Sequence, residues 1–286
     1  RLCLEAGGYQ TRRADLGADF YKGADGQVLT FETKGQPNQN AQNAVYGRRS
    51  DWRTFYEKAA KYYKELVANS GSAVWHDTDP RKADGKRVYD NPYQYFFQQM
   101  NDLEYADESI YEYAMTQGSS GERPYALGRP SGGGSSYAFP CKAYGQGRIN
   151  PAYYYGMFDP KDKRRDVSVT MTGSDGKGAE VLIPFVPNSK AAGGGLSTNK
   201  WDENRMSKPY IIKQRQSGIN GPYMRLAEIY LGYAEVSAAL GDEATAMTYL
   251  KKVRERSFPA GEANTEEFVA KCGSLLRAVI EERGFE

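Results

Sequence analysis

The run Tyr223-Met224-Arg225-Leu226-Ala227-Glu228-Ile229-Tyr230-Leu231-Gly232-Tyr233-Ala234-Glu235, continued as far as Phe258, decides how this chain is read. Leu226, Ile229, Tyr230, Tyr233, Ala234, Ser237 and Leu240 recur at helical i, i+3, i+4 and i+7 spacing, and Pro222 stands at the entrance, where a missing N–H costs nothing. Gly241 supplies a left-handed stop. Asp242 can cap a second helix, whose apolar stripe is Ala246, Met247, Leu250 and Val253. Ala234 and Ala246 fit the close-contact positions of a tetratricopeptide hairpin, and Pro259 falls within one residue of that repeat's terminal proline. On spacing alone, any antiparallel helix pair would also serve.

Working outward, residues 1–8 read as the tail of a helix closed by Gly7-Gly8, and Asp15 to Ser50 reads as loop. Asp51 is expected to cap a helix over 51–70, with Trp52, Phe55, Tyr56, Ala59, Ala60, Tyr63, Leu66 and Val67 on its core face and Asn69-Ser70-Gly71 as its stop. Residues 71–221 are loop-rich. Within them, Asn91 and Pro92 should open a short helix, Ser109 to Met115 a strand, and a β-hairpin is expected near 166–186. That hairpin would set Val167, Val169 and Met171 against Val181, Ile183 and Phe185, around the turn Gly173 to Gly176. Residues 187–221, with Gly193-Gly194-Gly195, read as loop, and 222–283 as helical scaffold. Thr265 should cap a last helix carrying Phe268, Cys272, Leu275, Leu276, Val279 and Ile280 inward.

Composition narrows the function classes. Lys+Arg 38 against Asp+Glu 36 leaves a formal charge of +2 with no basic stripe, so nucleic acid is not an expected partner. A mean hydropathy of −0.73 goes with the lack of any run of the roughly 20 apolar residues a spanning helix needs. Cys3, Cys141 and Cys272 show no metal spacing, and Cys3 and Cys272 read as buried, inert thiols on helical faces. The glycine runs at 132–134 and 193–195 follow no strand and open no helix, so they cradle no phosphate and imply no cofactor. Long loops are usually functional or disordered, and Tyr125, Tyr137, Phe139, Tyr144 and Tyr153 to Tyr155 favour ordered packing or binding.

Further segments carry a resemblance. The Arg225-Leu226-Ala227-Glu228 run, Ala246 to Arg256 and the closing Glu281-Glu282-Arg283-Gly284-Phe285-Glu286 resemble the C-terminal region of the SusD/RagB family. Asn91-Pro92-Tyr93-Gln94, Glu108 to Glu112, Asp162 to Thr170 with Arg164-Arg165-Asp166, and Lys213 agree in order. The resemblance implies a mainly α fold of tetratricopeptide-like hairpins with long ordered loops and a small β-hairpin, forming a single SusD-like domain over 1–286. It also implies a surface-exposed outer-membrane lipoprotein. Such a protein binds oligosaccharide, or peptide as a RagB-like member does, and delivers it to a SusC-like TonB-dependent transporter. Because members begin with a leader and lipid-bearing cysteine and continue past the Glu-Arg-Gly-Phe-Glu segment, the chain reads as an internal piece of a longer protein.

Sugars present flat C–H faces and hydroxyl edges, so a surface that binds them needs aromatic planes rimmed by Arg, Asn, Asp or Gln. The loops at 75–89 and 125–146 supply both. Trp75, Asp77, Arg81 and Tyr89, with Tyr125, Arg129, Tyr137, Tyr144 and Gln146, are the expected ligand contacts. Catalysis is not expected: glycoside hydrolysis needs two carboxylates facing each other across a cleft, whereas Asp107-Glu108 and Glu281-Glu282 read as capping or solvated charge. His76 reads as an exposed loop residue, and Asp77, Asp79 and Asp84 as a weak oxygen cluster for Ca²⁺. A helical-repeat interaction scaffold without any sugar is the remaining alternative, and it would show several consecutive hairpins.

Overall fold

The computed structural model describes residues 1–13, 26–34, 44–189, 195–207 and 211–286. In chain order the elements are α1 (Leu2–Gly7), β1 (Gln10–Arg13), β2 (Phe31–Lys34), β3 (Ala44–Arg49), α2 (Trp52–Ala68), α3 (Pro92–Asn101), β4 (Ser109–Tyr113), α4 (Glu122–Leu127), β5 (Ser131–Gly132) and β6 (Lys142–Ala143). They continue with α5 (Arg165–Ser168), β7 (Val169–Thr170), β8 (Thr172–Ser174), β9 (Glu180–Leu182), β10 (Ser197–Thr198), β11 (Gly221–Arg225), α6 (Leu226–Leu240), α7 (Glu243–Ser257), α8 (Thr265–Cys272) and α9 (Leu275–Phe285). Helix dominates and the sheets are small. Two compact units are defined: residues 1–69, 229–250 and 268–280 form one, and residues 70–228, 251–267 and 281–286 the other.

In the first unit α1 packs on α2 through Gly7, where a Cβ would come within 2.6 Å of the Tyr56 ring. The helix hairpin forms as its spacing requires. Ala234 and Ala246 are fully buried, the Tyr230 and Tyr249 rings stack at 5.6 Å, and Tyr233 meets Tyr249 at 5.0 Å. Gly241 takes φ 92°, and Asp242 Oδ1 accepts from the Thr245 N–H at 3.1 Å. The Arg48 guanidinium lies 3.3 Å over the Trp52 ring.

The stretch expected as loop from Asp15 to Ser50 lies partly outside the described residues. Its described parts hold β2 and β3, which with β1 make an antiparallel sheet in the order β1-β3-β2. The strands are short, and neither Phe31-Glu32-Thr33-Lys34 nor Ala44-Val45-Tyr46-Gly47-Arg48-Arg49 has the strict apolar alternation that would announce a strand. Asp51 precedes α2 as expected, but its carboxylate takes the Arg49 guanidinium at 2.7 Å instead of capping the helix. The long last helix is two: Gly273, at φ 81°, ends α8, and Ser274 Oγ caps α9 by accepting from the Arg277 N–H. Cys3 and Cys272 are half-buried, while Cys141 is fully buried.

The second unit is built around α3. Asn91 Oδ1 accepts from the Gln94 N–H at 3.1 Å, Pro92 occupies the first turn, and Tyr93, Phe96, Phe97 and Met100 enter a core completed by Ala106, Val167 and Ile219. Pro222, expected at the entrance of α6, lies instead in β11, which pairs antiparallel with β4; α6 starts four residues later. Tyr223-Met224-Arg225 is as strand-competent as helical, and pairing with Ser109 to Tyr113 decides for the strand. The register irregularity after Pro222 accommodates its missing donor. The hairpin near 166–186 is shorter than expected: Thr172 to Ser174 pair with Glu180 to Leu182, Val167 lies in α5, and Ile183 to Phe185 form a 3₁₀ turn opened by Pro184.

Glu108 and Glu282, read as capping or solvated charge, are instead buried members of this unit's ion-pair network, although Glu108 Oε1 also accepts from the Ala227 N–H at 3.1 Å at the start of α6. Glu282 is fully buried between Arg254 and Arg164, each at 2.7 Å. Arg164, also fully buried, further binds Asp162 at 2.6 Å and Glu286 at 2.9 Å; Glu286 meets Arg225 at 2.6 Å. Arg225 then reaches Glu108 at 3.0 Å, and Glu108 takes Arg256 on its other oxygen. Burial alone would raise the Glu286 carboxyl, but Arg225, Arg164 and Arg256 hold it well below the usual range. Arg256 caps the series by lying 3.5 Å over the Trp75 ring.

Candidate binding cleft

One turn of sequence spacing creates the site. With positions 93, 96, 97 and 100 committed to the core, Gln94, Gln98 and Asp102 fall on the opposite side of α3 and its C-cap, half-buried, one above another. They line a cleft of about 840 Å³ together with Arg81, Tyr89, Tyr95, Arg205, Met206 and Ser207. The volume lies in the usual range for ligand sites. Its lining is chiefly amide, hydroxyl, guanidinium and carboxylate, with two phenol rings.

The aromatic wall is preorganised by an ion pair. Asp79, whose side chain is 1 % exposed, accepts from Arg81 Nε at 2.8 Å and from the Asn91 N–H at 3.2 Å. Burial opposes the charged form, yet the bonds from the Arg81 side chain and backbone hold the Asp79 carboxyl below the usual aspartate range. The pinned guanidinium lies 4.3 Å from the Tyr89 ring and 5.3 Å from Tyr95. Arg205, also on the lining, donates to Asn199 O and Oδ1, at 3.3 and 2.8 Å. Burial and the neighbouring Arg129 work against its charge and Asp202 for it, with a net lowering.

The expected contacts divide by environment. Arg81 and Tyr89 line the cleft. Trp75 is half-buried over Arg256 with its Nε1 donating to Asp77 at 2.7 Å, and the Asp77 carboxylate is otherwise exposed. Tyr125 is 1 % exposed and packs on Tyr144 at 4.8 Å, with Arg215 4.7 Å from its ring; burial pushes its phenol up to about 12. Arg129 pairs with Glu180 at 2.9 Å and Asp202 at 3.3 Å. Tyr137, 71 % exposed, and Gln146 face solvent. His76 is not a free loop residue: it bonds Asp107 at 2.9 Å and meets the Tyr95 ring edge-on.

Gln94, Tyr95, Gln98, Asp102 and Arg205 are not legible as ligand contacts in the sequence, because the strongest signal in α3 is its apolar core spacing and Arg205 stands in an unpatterned loop. The available signal was the polar stripe on α3, opposite its core positions. A second exposed aromatic cluster was also missed: Tyr111, Tyr113 and Tyr223 meet edge-to-face on the β4–β11 ribbon at 5.3–5.7 Å, foreshadowed by the Tyr-x-Tyr alternation in β4. Among the described residues no group of three His, Cys, Asp or Glu is placed to hold a metal ion. In the Asp77, Asp79 and Asp84 cluster, Asp79 is taken by Arg81, and Asp84 accepts from the Lys86 and Arg87 N–H groups.

The chain is mainly helical with small sheets, carries a helix hairpin of tetratricopeptide type, and has a polar cleft in its loop-rich unit. The chain belongs to the SusD family, whose model matches residues 65–286. Among solved structures it is similar to a SusD homolog from Bacteroides thetaiotaomicron, at 17 % identity and a TM-score of 0.57, covering 81 % of this chain and 46 % of that one. It is also similar to two structures of surface glycan-binding protein A from the same organism, one of them in complex with laminarihexaose, each at 15 % identity and a TM-score of 0.50 and covering 82 % of this chain and 47 % of that one. The chain thus spans less than half the length of these structures. None of the curated proteins matches it. Among the described residues no helix is long and apolar enough to cross a membrane.

Proposed function

We propose that this protein binds an oligosaccharide without catalysis, in the cleft along α3, and passes it to a TonB-dependent transporter of SusC type at the outer membrane, where a lipid anchor would hold it. The observation that carries the reading is the cleft itself: two phenol rings fixed by Arg81 beside a stripe of amide and carboxylate groups, in a chain of the SusD family. A relative of the same fold solved with laminarihexaose supports a glycan as the ligand class. Arg81 and Tyr89 contact the sugar directly. Tyr137 and Gln146 are open to it, whereas Trp75, Tyr125, Arg129 and Tyr144 hold the surrounding loops. Glu108 and Glu282 are spent in buried ion pairs, which leaves neither for acid-base work.

Calorimetric titration with a panel of hexasaccharides tests the binding. Saturable binding without release of reducing ends is expected, and it should weaken about tenfold in Tyr89→Ala. Turnover of any panel member would contradict the reading. For delivery, the full-length protein should co-purify from membranes with a TonB-dependent transporter; its consistent isolation without one would count against that step.

A further inference from the structure

We infer that the cleft takes an extended, electrically neutral oligosaccharide lying along α3, with consecutive sugar units read by the Gln94, Gln98 and Asp102 ladder. This inference rests on the glycan-binding reading above and specifies its ligand.

The ladder has a fixed polarity. Asp102 can only accept: its Oδ2 takes Gln98 Nε2 at 3.1 Å and the Ser207 hydroxyl at 2.8 Å, and its Oδ1 takes the Ser207 N–H at 2.6 Å. Gln98 must therefore turn its amino group toward Asp102, where it also donates to the Arg205 carbonyl at 3.1 Å, and its Oε1 toward Gln94. Gln94 Nε2 in turn donates to that oxygen at 3.4 Å. The orientation of both amides follows from the one residue that cannot donate. Gln94 Oε1 and the remaining lone pairs of Gln98 and Asp102 then form an acceptor edge facing the cleft, suited to hydroxyl donors.

Charge and spacing complete the case. Arg81, Arg87 and Arg205 are matched on the lining by Asp90, Asp102 and Glu104, and Arg81 is already neutralised by Asp79. No surplus of cations is left for a carboxylate or sulfate, and an anionic sugar would meet the acceptor edge with like charge. Successive ladder positions are four residues apart, about 6 Å along the helix, close to the advance of one pyranose unit in an extended chain.

The test is titration of the whole protein with neutral gluco-, manno- and xylo-oligosaccharides of two to six units, alongside oligogalacturonate. The inference expects a neutral binder whose affinity rises up to about three units and then levels, and no binding of oligogalacturonate. Gln94→Ala and Gln98→Ala should each weaken that binder about five- to tenfold, one hydrogen bond's worth; thermal unfolding should stay unchanged in Gln94→Ala and fall slightly in Gln98→Ala, which loses its bonds to Asp102 and the Arg205 carbonyl. Oligogalacturonate binding as tightly as the neutral sugars would overturn it. A neutral binder lost in Tyr137→Ala but indifferent to both glutamine variants would overturn the ladder while leaving glycan binding intact. Silence toward every sugar, with the protein folded, would overturn both.

Discussion

Residue identity matters most here where one side chain has two possible uses. Trp75 had the profile of an exposed sugar platform, yet one face of its ring is spent on Arg256 at 3.5 Å. Trp75→Ala should therefore lower stability by about 2 kcal/mol, from lost packing and cation–π contact, whereas Tyr137→Ala, at a site 71 % exposed, should leave it within about 0.5 kcal/mol; thermal unfolding of both variants checks the contrast. Asp79 gives a pH signature. Its pKa is depressed in the folded chain, so its ion pair contributes stability that is fully present above the ordinary aspartate pKa and is lost as the pH falls through the depressed value. Acid titration of Asp79→Asn and the parent protein should show the parent's advantage at neutral pH vanishing at strongly acid pH; an advantage unchanged by acid would contradict the assignment.

Elements were legible in the sequence where apolar periodicity was long. The body of the α6/α7 hairpin and of α2 follows from apolar spacing, and the start of α3 from its Asn91 cap. What failed was short or ambiguous: β2 and β3, which lack strict apolar alternation; β11, whose residues suit helix or strand until β4 pairs with them; and the Gly273 break, because the apolar stripe continues across it. The cleft was half visible. Arg81 and Tyr89 stood out as loop residues with the right chemistry, while Gln94 and Gln98 were hidden on a helix read only for its core side. Gly232 offers a test at this scale. Alanine there would gain about 1 kcal/mol in helix propensity, but its Cβ would lie 2.6 Å from the Tyr63 ring, and overpacking of that kind costs about 1–3 kcal/mol. Denaturant unfolding of Gly232→Ala should show net destabilisation; a gain would mean that the ring gives way.

At the scale of the whole molecule, the buried series Arg254, Glu282, Arg164, Glu286, Arg225, Glu108 and Arg256 joins positions far apart in sequence within the second unit. Arg164→Met keeps most of the volume but leaves Asp162, Glu282 and Glu286 without their shared cation, at a cost of about 3–5 kcal/mol, measurable as a shifted denaturation midpoint. Both the network and the aromatic core face of α3 support the side that carries the ladder. The central claim is that this side of α3 is where ligand binds. Hydrogen–deuterium exchange of the protein with and without a neutral hexasaccharide tests it most directly: the account predicts protection concentrated in residues 81–104 and 205–207. Protection confined to other segments, with 81–104 unchanged at saturating sugar, would contradict it.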